Sequence, residues 1–341
     1  MLRKLAAASV IAAFPAVSHA ATIISDGNVS LGIDDLGQLN VSGGNADVAG
    51  ETVVGVRWIA DTGVEYEGTS HGCLCEGWGI AIDGTTAGYA DNADGVAGLS
   101  SVSFTSTATT AQSVVQLSGS DVFVTHDFQL SASDDLMEVV VTIENRGTTA
   151  VNDVMYRREM DWDASPTPFN EFVTIGGTST TSLLAASSDD GFIGGDILSS
   201  PIAGSDLLSC GETVDFTACG PDDHGAVFDF DFGSIAGGDS YSFSIFYGGA
   251  ENLDAAEAAL GAVGAELFSF GWSGDDADQD GFSDVNGDLT PTFIFAFSGV
   301  GGTVIIPPTT PNPSAVPLPA SSVLLLAGLG AIGAMRKRKT A

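Results

Sequence analysis

The sequence predicts a mainly β protein: a large antiparallel β-sandwich with one short packed helix, a signal helix at the N-terminus and a transmembrane helix at the C-terminus. Three observations predict it. Apolar and polar residues alternate with period two along several short segments. Turn residues, among 44 glycines in the chain, punctuate those segments. Both chain ends hold uncharged apolar runs beside basic residues.

At the N-terminus, Arg3 and Lys4 precede an apolar run from Leu5 to Val17, and Ser18-His19-Ala20 sets small residues around a cut after Ala20. That order is the order of a secretory signal, so residues 1–20 are expected to be removed by signal peptidase. At the other end, Val316, Pro317, Leu318, Pro319 and Ala320 precede an apolar run from Val323 to Met335, closed by Arg336, Lys337, Arg338 and Lys339. No charge falls between Ala315 and Met335. At about 1.5 Å per residue this stretch is just long enough for one helix across roughly 30 Å of hydrocarbon, with the basic cluster held on the cytoplasmic side. A proline-rich linker over 306–315 favours extended geometry and spaces this tail from the body. The expected plan is a signal peptide at 1–20, a β-sandwich domain at 21–305, the linker, and a tail at 316–341.

Within the body, Ser101 to Thr107 alternates strictly, and Met137 to Glu144 puts Val139, Val141 and Ile143 on one face. Ala226 to Phe232 sets Phe228, Phe230 and Phe232 against Asp229 and Asp231. Tyr241, Phe243, Ile245 and Tyr247 alternate with serine and phenylalanine, and a last strand starts at Thr292 and reaches Phe297 or beyond. Alternation of this kind predicts one buried and one wet face, the habit of antiparallel sheets. Asn145-Arg146-Gly147 and Ala236-Gly237-Gly238-Asp239 read as turns between them. One segment departs from the pattern. Leu253, Ala256, Leu260, Val263 and Leu267 recur at three- and four-residue steps behind Asn252, which predicts a capped helix packed on the sandwich.

Removal of both ends takes away Arg3, Lys4 and the Arg336–Lys339 cluster. Four cations remain, Arg57, Arg146, Arg157 and Arg158, against all 44 carboxylates, a net charge of −40 with no lysine. Such a surface repels nucleic acid and anionic lipid, which are bound through Lys and Arg. It suits solubility in salty surroundings and the binding of divalent cations.

Four cysteines in an exported chain predict disulfides. Cys210 and Cys219 would close a short loop. Cys73 and Cys75 either bridge each other in a small ring or cross-pair with the other two, and spacing does not choose. The same stretch offers His71, Cys73, Cys75 and Glu76 within six residues, donor types that suit Zn²⁺ or copper. In extended backbone His71, Cys73 and Cys75 would share a side with Glu76 opposite. A structural bridge, a metal site and a redox-active C-x-C pair are the three readings.

The acidic loop from Ser273 to Asp288 places Asp276, Asp278, Asp280, the Phe282 carbonyl and Asp284 in the order of an EF-hand-type calcium loop. Its twelfth position is Gly287, and the nearest carboxylate is Asp288. Structural calcium stiffening this loop is the expected cofactor, a solvated acidic turn the alternative. Catalysis has weaker support. His71, His126 and His224 are the histidines left after signal removal, and no serine-hydrolase elbow or zinc-protease helix motif occurs. Glu159, Asp161 and Asp163 would share a strand face with Arg157, which reads as an ion-paired, solvated face before it reads as a glycosidase pair. Tyr156, Arg158, Met160 and Trp162 fall on the other face, as core or, if exposed, as a sugar-stacking surface.

The Val316–Ala320 motif, the apolar run and the basic cluster together resemble the VPLPA variant of PEP-CTERM sorting tails, which exosortases recognise. The resemblance implies cleavage near the proline motif, membrane attachment through the C-terminal helix before processing, and a destination in the envelope, on the surface or outside a Gram-negative cell. A permanent single-pass anchor is the other reading of the helix. Met137 to Asp163 and Phe230 to Leu260 look like parts of bacterial surface-protein sandwiches, a likeness of pattern more than of signature that bears on fold and not on function. The expectation is a non-enzymatic structural or adhesive protein of a cell surface or biofilm matrix. The alternatives are a carbohydrate-binding module contacting extracellular polysaccharide, which needs Trp78, Trp162 and Trp272 exposed on one side, and a secreted glycan hydrolase.

Overall fold

The computed structural model describes residues 20–202 and 210–306; residues 1–19 of the expected signal peptide, the prolines of the expected linker and the whole sorting tail lie outside the described residues. Among the described residues no helix is long and apolar enough to cross a membrane. Every strand pair of the two large sheets is antiparallel. The first runs, in spatial order, Leu184–Ser188, Gly225–Asp231, Met155–Asp161, Glu76–Ile82, Thr86–Asp91 and Gly95–Ala97. The second has nine strands: Leu99–Ser106, Ala111–Leu117, Val122–Leu130, Leu136–Asn145, Ser240–Ala250, Thr292–Ser298, Leu267–Ser273, Glu171–Gly176 and Phe216–Asp222. A four-stranded sheet built from Ala21–Ser25, Val29–Asp34, Val56–Ile59 and Glu65–Glu67 adds Ile24, Leu31, Ile33 and Val56 to the same core.

Aromatic rings join the two large sheets. Phe228 of the six-stranded sheet meets Phe295 and Phe297 of the nine-stranded sheet at centroid distances of 5.5 and 5.1 Å, and Tyr156 meets Phe243 at 5.2 Å. The alternation read from sequence accounts for this: Val139, Val141 and Ile143, and Phe243, Ile245 and Tyr247, are all buried on the inner face. The reverse face of the nine-stranded sheet carries a second core, where Phe246, Ile294 and Ala296 pack against Ala256, Ala259 and Leu260 of the helix Leu253–Val263. Asn252 caps that helix through its side chain, which accepts from Ala255 N at 3.1 Å. The helix stops short of the predicted Leu267. Gly264 adopts the left-handed conformation at φ 64° and ends it, and Leu267 opens the next strand.

Several strands depart from the expected one-sided burial. Leu99–Ser106 is almost wholly exposed because it lies at the sheet edge, bulged between Ser101 and Ser103; only Leu99 and Phe104 lean on the core. Gly225–Asp231 is the opposite case, with Asp229 buried as deeply as Phe228 and Phe230. Its outer face is covered by the loop that follows Ser188. Glycines allow this approach: a Cβ at Gly79 would lie 2.0 Å from the Gly195 carbonyl, and one at Gly225 would lie 2.4 Å from Gly191 Cα.

His126 stands inside the core, edge-on to Trp78 at 4.7 Å, with Nε2 2.9 Å from the Tyr156 hydroxyl. Burial, and then the Arg158 charge, push its pKa well below the ordinary imidazole value. Below about pH 6.5 the unfolded chain therefore takes a proton that the native state refuses, and stability is lost as pH falls. Relative to a His126→Phe variant, the wild type is expected to lose about 1.4 kcal/mol per pH unit below about pH 6. Urea unfolding of both proteins across this range measures it, and parallel profiles would contradict it.

Candidate functional site

Met155–Asp161 is flanked by Glu76–Ile82 and Gly225–Asp231, and both of its faces are buried. The expected solvated face of Glu159, Asp161 and Asp163 is therefore corrected: their exposures are 0, 1 and 0%. Arg157 makes its ion pair elsewhere and acts on Glu159 only through its charge. It forms a two-pronged pair with Asp229, directly opposite in register, at 2.7 and 2.8 Å, and donates to the Gly194 and Ser200 carbonyls of the covering loop. Glu159 accepts from Gly194 N at 3.0 Å, and burial with neighbouring Asp91 pushes its carboxyl well up. The chain pattern showed the alternation; the loop that covers this face comes from residues 30 and more positions away.

Asp161 ends its strand, Asp163 follows two residues later, and Asp223 comes from the connection between Phe216–Asp222 and Gly225–Asp231. Carboxylate oxygens of these three lie within 4.8 Å of one another. Glu171, the first residue of Glu171–Gly176, is their electrostatic neighbour, with Asp163 the strongest influence after burial. Strand ends from both large sheets thus bring three carboxyls together, with Glu171 as their electrostatic neighbour.

The arrangement has almost no donors. Both oxygens of Asp163, both of Glu171, Asp161 Oδ1 and Asp223 Oδ1 are buried without a partner at hydrogen-bond geometry. Asp161 Oδ2 lies 3.5 Å from Cys73 Sγ, but that sulfur is in a disulfide and has no proton to give. Burial, then the Asp163 and Asp223 charges, push Asp161 up; burial does the same for Asp163 against the opposing pull of His71. Burial and Asp163 push Glu171 up to about 10, the Asn170 amide offsetting this only in part. Two like charges about 4 Å apart repel by about 4 kcal/mol at an effective dielectric near 20, so four ionised carboxylates do not coexist here uncompensated. Glu171 and Asp223 were invisible from sequence as partners, since nothing local links positions 161, 171 and 223.

The His71–Glu76 stretch does not form the expected extended set. Gly72 and Leu74 take positive φ (67° and 55°), which turns the chain out of the extended form. Cys73 and Cys75 bond to each other, as do Cys210 and Cys219, with Cα separations of 5.2 and 6.0 Å, so the sulfurs are not thiolate ligands. His71 faces Asp47 at 3.6 Å; burial would lower its pKa, but Asp47 and Asp163 raise it. Glu76 is enclosed and paired with Arg158. His224 Nδ1 meets Asp189 Oδ2 at 2.9 Å, leaving buried Nε2 without a partner.

In the acidic loop, Asp276, Asp278 and Asp280 converge within 4.8 Å, but Asp284 and Asp288 do not join that group. Asp284 instead accepts from Ala277 N at 3.1 Å, and the Asp288 carbonyl accepts from Ser283 N at 2.8 Å. The Phe282 side chain is 47% exposed. Buried Asp276 accepts from Asp280 N, Gly281 N and Thr290 Oγ1, bonds that offset only part of the burial pushing its carboxyl up.

The tryptophan platform is also corrected. Trp78, Trp162 and Trp272 are fully buried, and their indoles donate to Leu36 O, Ser269 Oγ and Asp276 O. Alternation in a strand does not distinguish an aromatic facing solvent from one facing a second layer.

Comparison with known proteins bears on the tail. A family model for the PEP-CTERM protein-sorting motif matches residues 315–339. The chain ends in a PEP-CTERM sorting motif. That motif indicates an exported, cell-surface-directed protein processed by an exosortase, in agreement with Val316–Ala320 and the basic cluster. The body has no family match, and no curated protein matches the chain. Among solved structures, a galactose mutarotase related enzyme from Lactobacillus acidophilus is similar at 9% identity. The similarity covers 82% of this chain and 86% of that one with a TM-score of 0.26, too low to carry fold or function across.

Proposed function

We propose that this is a non-enzymatic structural or adhesive protein of a Gram-negative surface or matrix, a β-sandwich delivered and released through its PEP-CTERM tail. The sorting motif carries the reading. The surface supports it. Arg57, Arg157 and Arg158 are buried in ion pairs, which leaves Arg146 as the exposed cation among the described residues. A body so uniformly acidic stays soluble outside the cell and meets cationic or cation-bridged polymers, not nucleic acid. Calcium at Asp276, Asp278 and Asp280 belongs to the same proposal, as a clamp on the loop before the last strand.

The hydrolase alternative gains little from the carboxyls at hand. Asp161 and Asp163 are closed from solvent, where a substrate would have to reach them. Expression in an exosortase-bearing host tests the proposal. The intact chain is expected at the surface or in the medium, shortened near Val316–Ala320, and a chain lacking residues 315–341 is expected unprocessed and mislocalised. Identical distribution of the two would overturn it.

A further inference from the structure

We propose that Asp161, Asp163, Glu171 and Asp223 form a buried divalent-cation site, of calcium type, that fastens the ends of the two large sheets together. Proximity alone would not justify this, because acidic clusters are common without an ion. The second observation is the missing donors. Asp163 and Glu171 are wholly enclosed, yet no donor stands at hydrogen-bond geometry to either oxygen of either side chain, and Glu171 comes from the nine-stranded sheet into the electrostatic reach of Asp163. Buried polar atoms are ordinarily satisfied, and the same molecule satisfies Asp276 and Glu67 with several donors each. Here acceptors converge on one another.

The ligand class follows from the donors. All are carboxylate oxygens, which suits hard cations, while the nearby sulfurs are tied up as Cys73–Cys75. The carboxylate oxygens of Asp161, Asp163 and Asp223, within 4.8 Å of one another, fit a shell of Ca–O distances near about 2.4 Å, since opposite ligands then stand about 4.8 Å apart, and Glu171 is the electrostatic neighbour that completes the set. Asp223 is only partly buried and marks the side of entry. A cation there would link Met155–Asp161 of one sheet to Glu171–Gly176 of the other, a bond between layers that the aromatic core does not supply.

The test uses the full chain stripped with a chelator, then titrated with calcium by calorimetry and with terbium by tryptophan-sensitised luminescence, with melting recorded at each point. Wild type is expected to take up calcium and melt higher with it. Asp163→Asn/Glu171→Gln is expected to lose that uptake and the calcium-dependent rise, while melting at least as high as stripped wild type because the repulsion is gone. Asp223→Asn, at the more exposed position, is expected to weaken uptake with the fold intact. Asp276→Asn should leave this binding event in place. Absence of uptake by wild type overturns the proposal and fits carboxyls that share protons instead. Uptake that survives Asp163→Asn/Glu171→Gln but vanishes with Asp276→Asn overturns it equally, by assigning the ion to the acidic loop alone.

Discussion

Replacing Arg158 with methionine is expected to destabilise the domain by about 3–5 kcal/mol, the range for breaking a buried ion pair from one side. Arg158 lies fully inside the core, paired with Glu76, donating to the Gly37 carbonyl at 3.1 Å and standing 5.6 Å from the Tyr247 ring. Glu76 is equally enclosed and also accepts from Leu39 N at 2.6 Å. Removing the guanidinium strands a carboxyl whose pKa burial already raises to about 7. The cost comes from that orphan, more than from the lost attraction. Arg158→Met/Glu76→Gln is therefore expected to recover most of the loss, because the uncompensated charge has gone. Chemical denaturation of the single and double variants measures both steps. A single variant within about 1 kcal/mol of wild type would mean the pair is hydrated and would place it with ordinary surface bridges.

Trp162→Ala carries a comparable expected loss, about 3–5 kcal/mol, from the cavity left by the largest side chain type in a packed interior. The indole lies against the Gly271 backbone so closely that a Cβ there would fall 2.4 Å from the ring. It meets Phe293 at 6.4 Å, and its Nε1 donates to Ser269 Oγ at 3.0 Å, so the variant also leaves a buried hydroxyl unpaired. Trp162→Phe is expected to lose less, keeping most of the apolar volume. Thermal and urea unfolding check this. Unchanged stability with altered binding on a glycan array would instead reveal an exposed, sugar-contacting ring.

The two predictions concern one strand and the residue that follows it, and the sequence showed only half of what governs them. Tyr156, Arg158, Met160 and Trp162 were readable as one face from spacing, as were the helix behind Asn252 and the strands holding Val139 and Ile245. Periodicity is local, so it survives in a single chain. It does not say how many layers cover a strand. Asp229 and Glu159 alternate with apolar residues as wet positions do, yet the loop after Ser188 covers them, because Gly79 and Gly225 let backbone approach backbone. Ser101–Thr107 alternates equally well and stays exposed, since its sheet ends there.

By itself the sequence determined that the body is antiparallel β, that the C-terminal end carries a sorting motif, and that residues 21–305 hold four cations against 44 carboxylates. These properties are sums or short repeats along the chain. Which carboxyls confront each other was decided only by tertiary structure. Asp161, Asp163 and Asp223 meet, within the electrostatic reach of Glu171, because the ends of strands from separate sheets arrive together, and electrostatic repulsion depends on distance through space, not on separation along the chain.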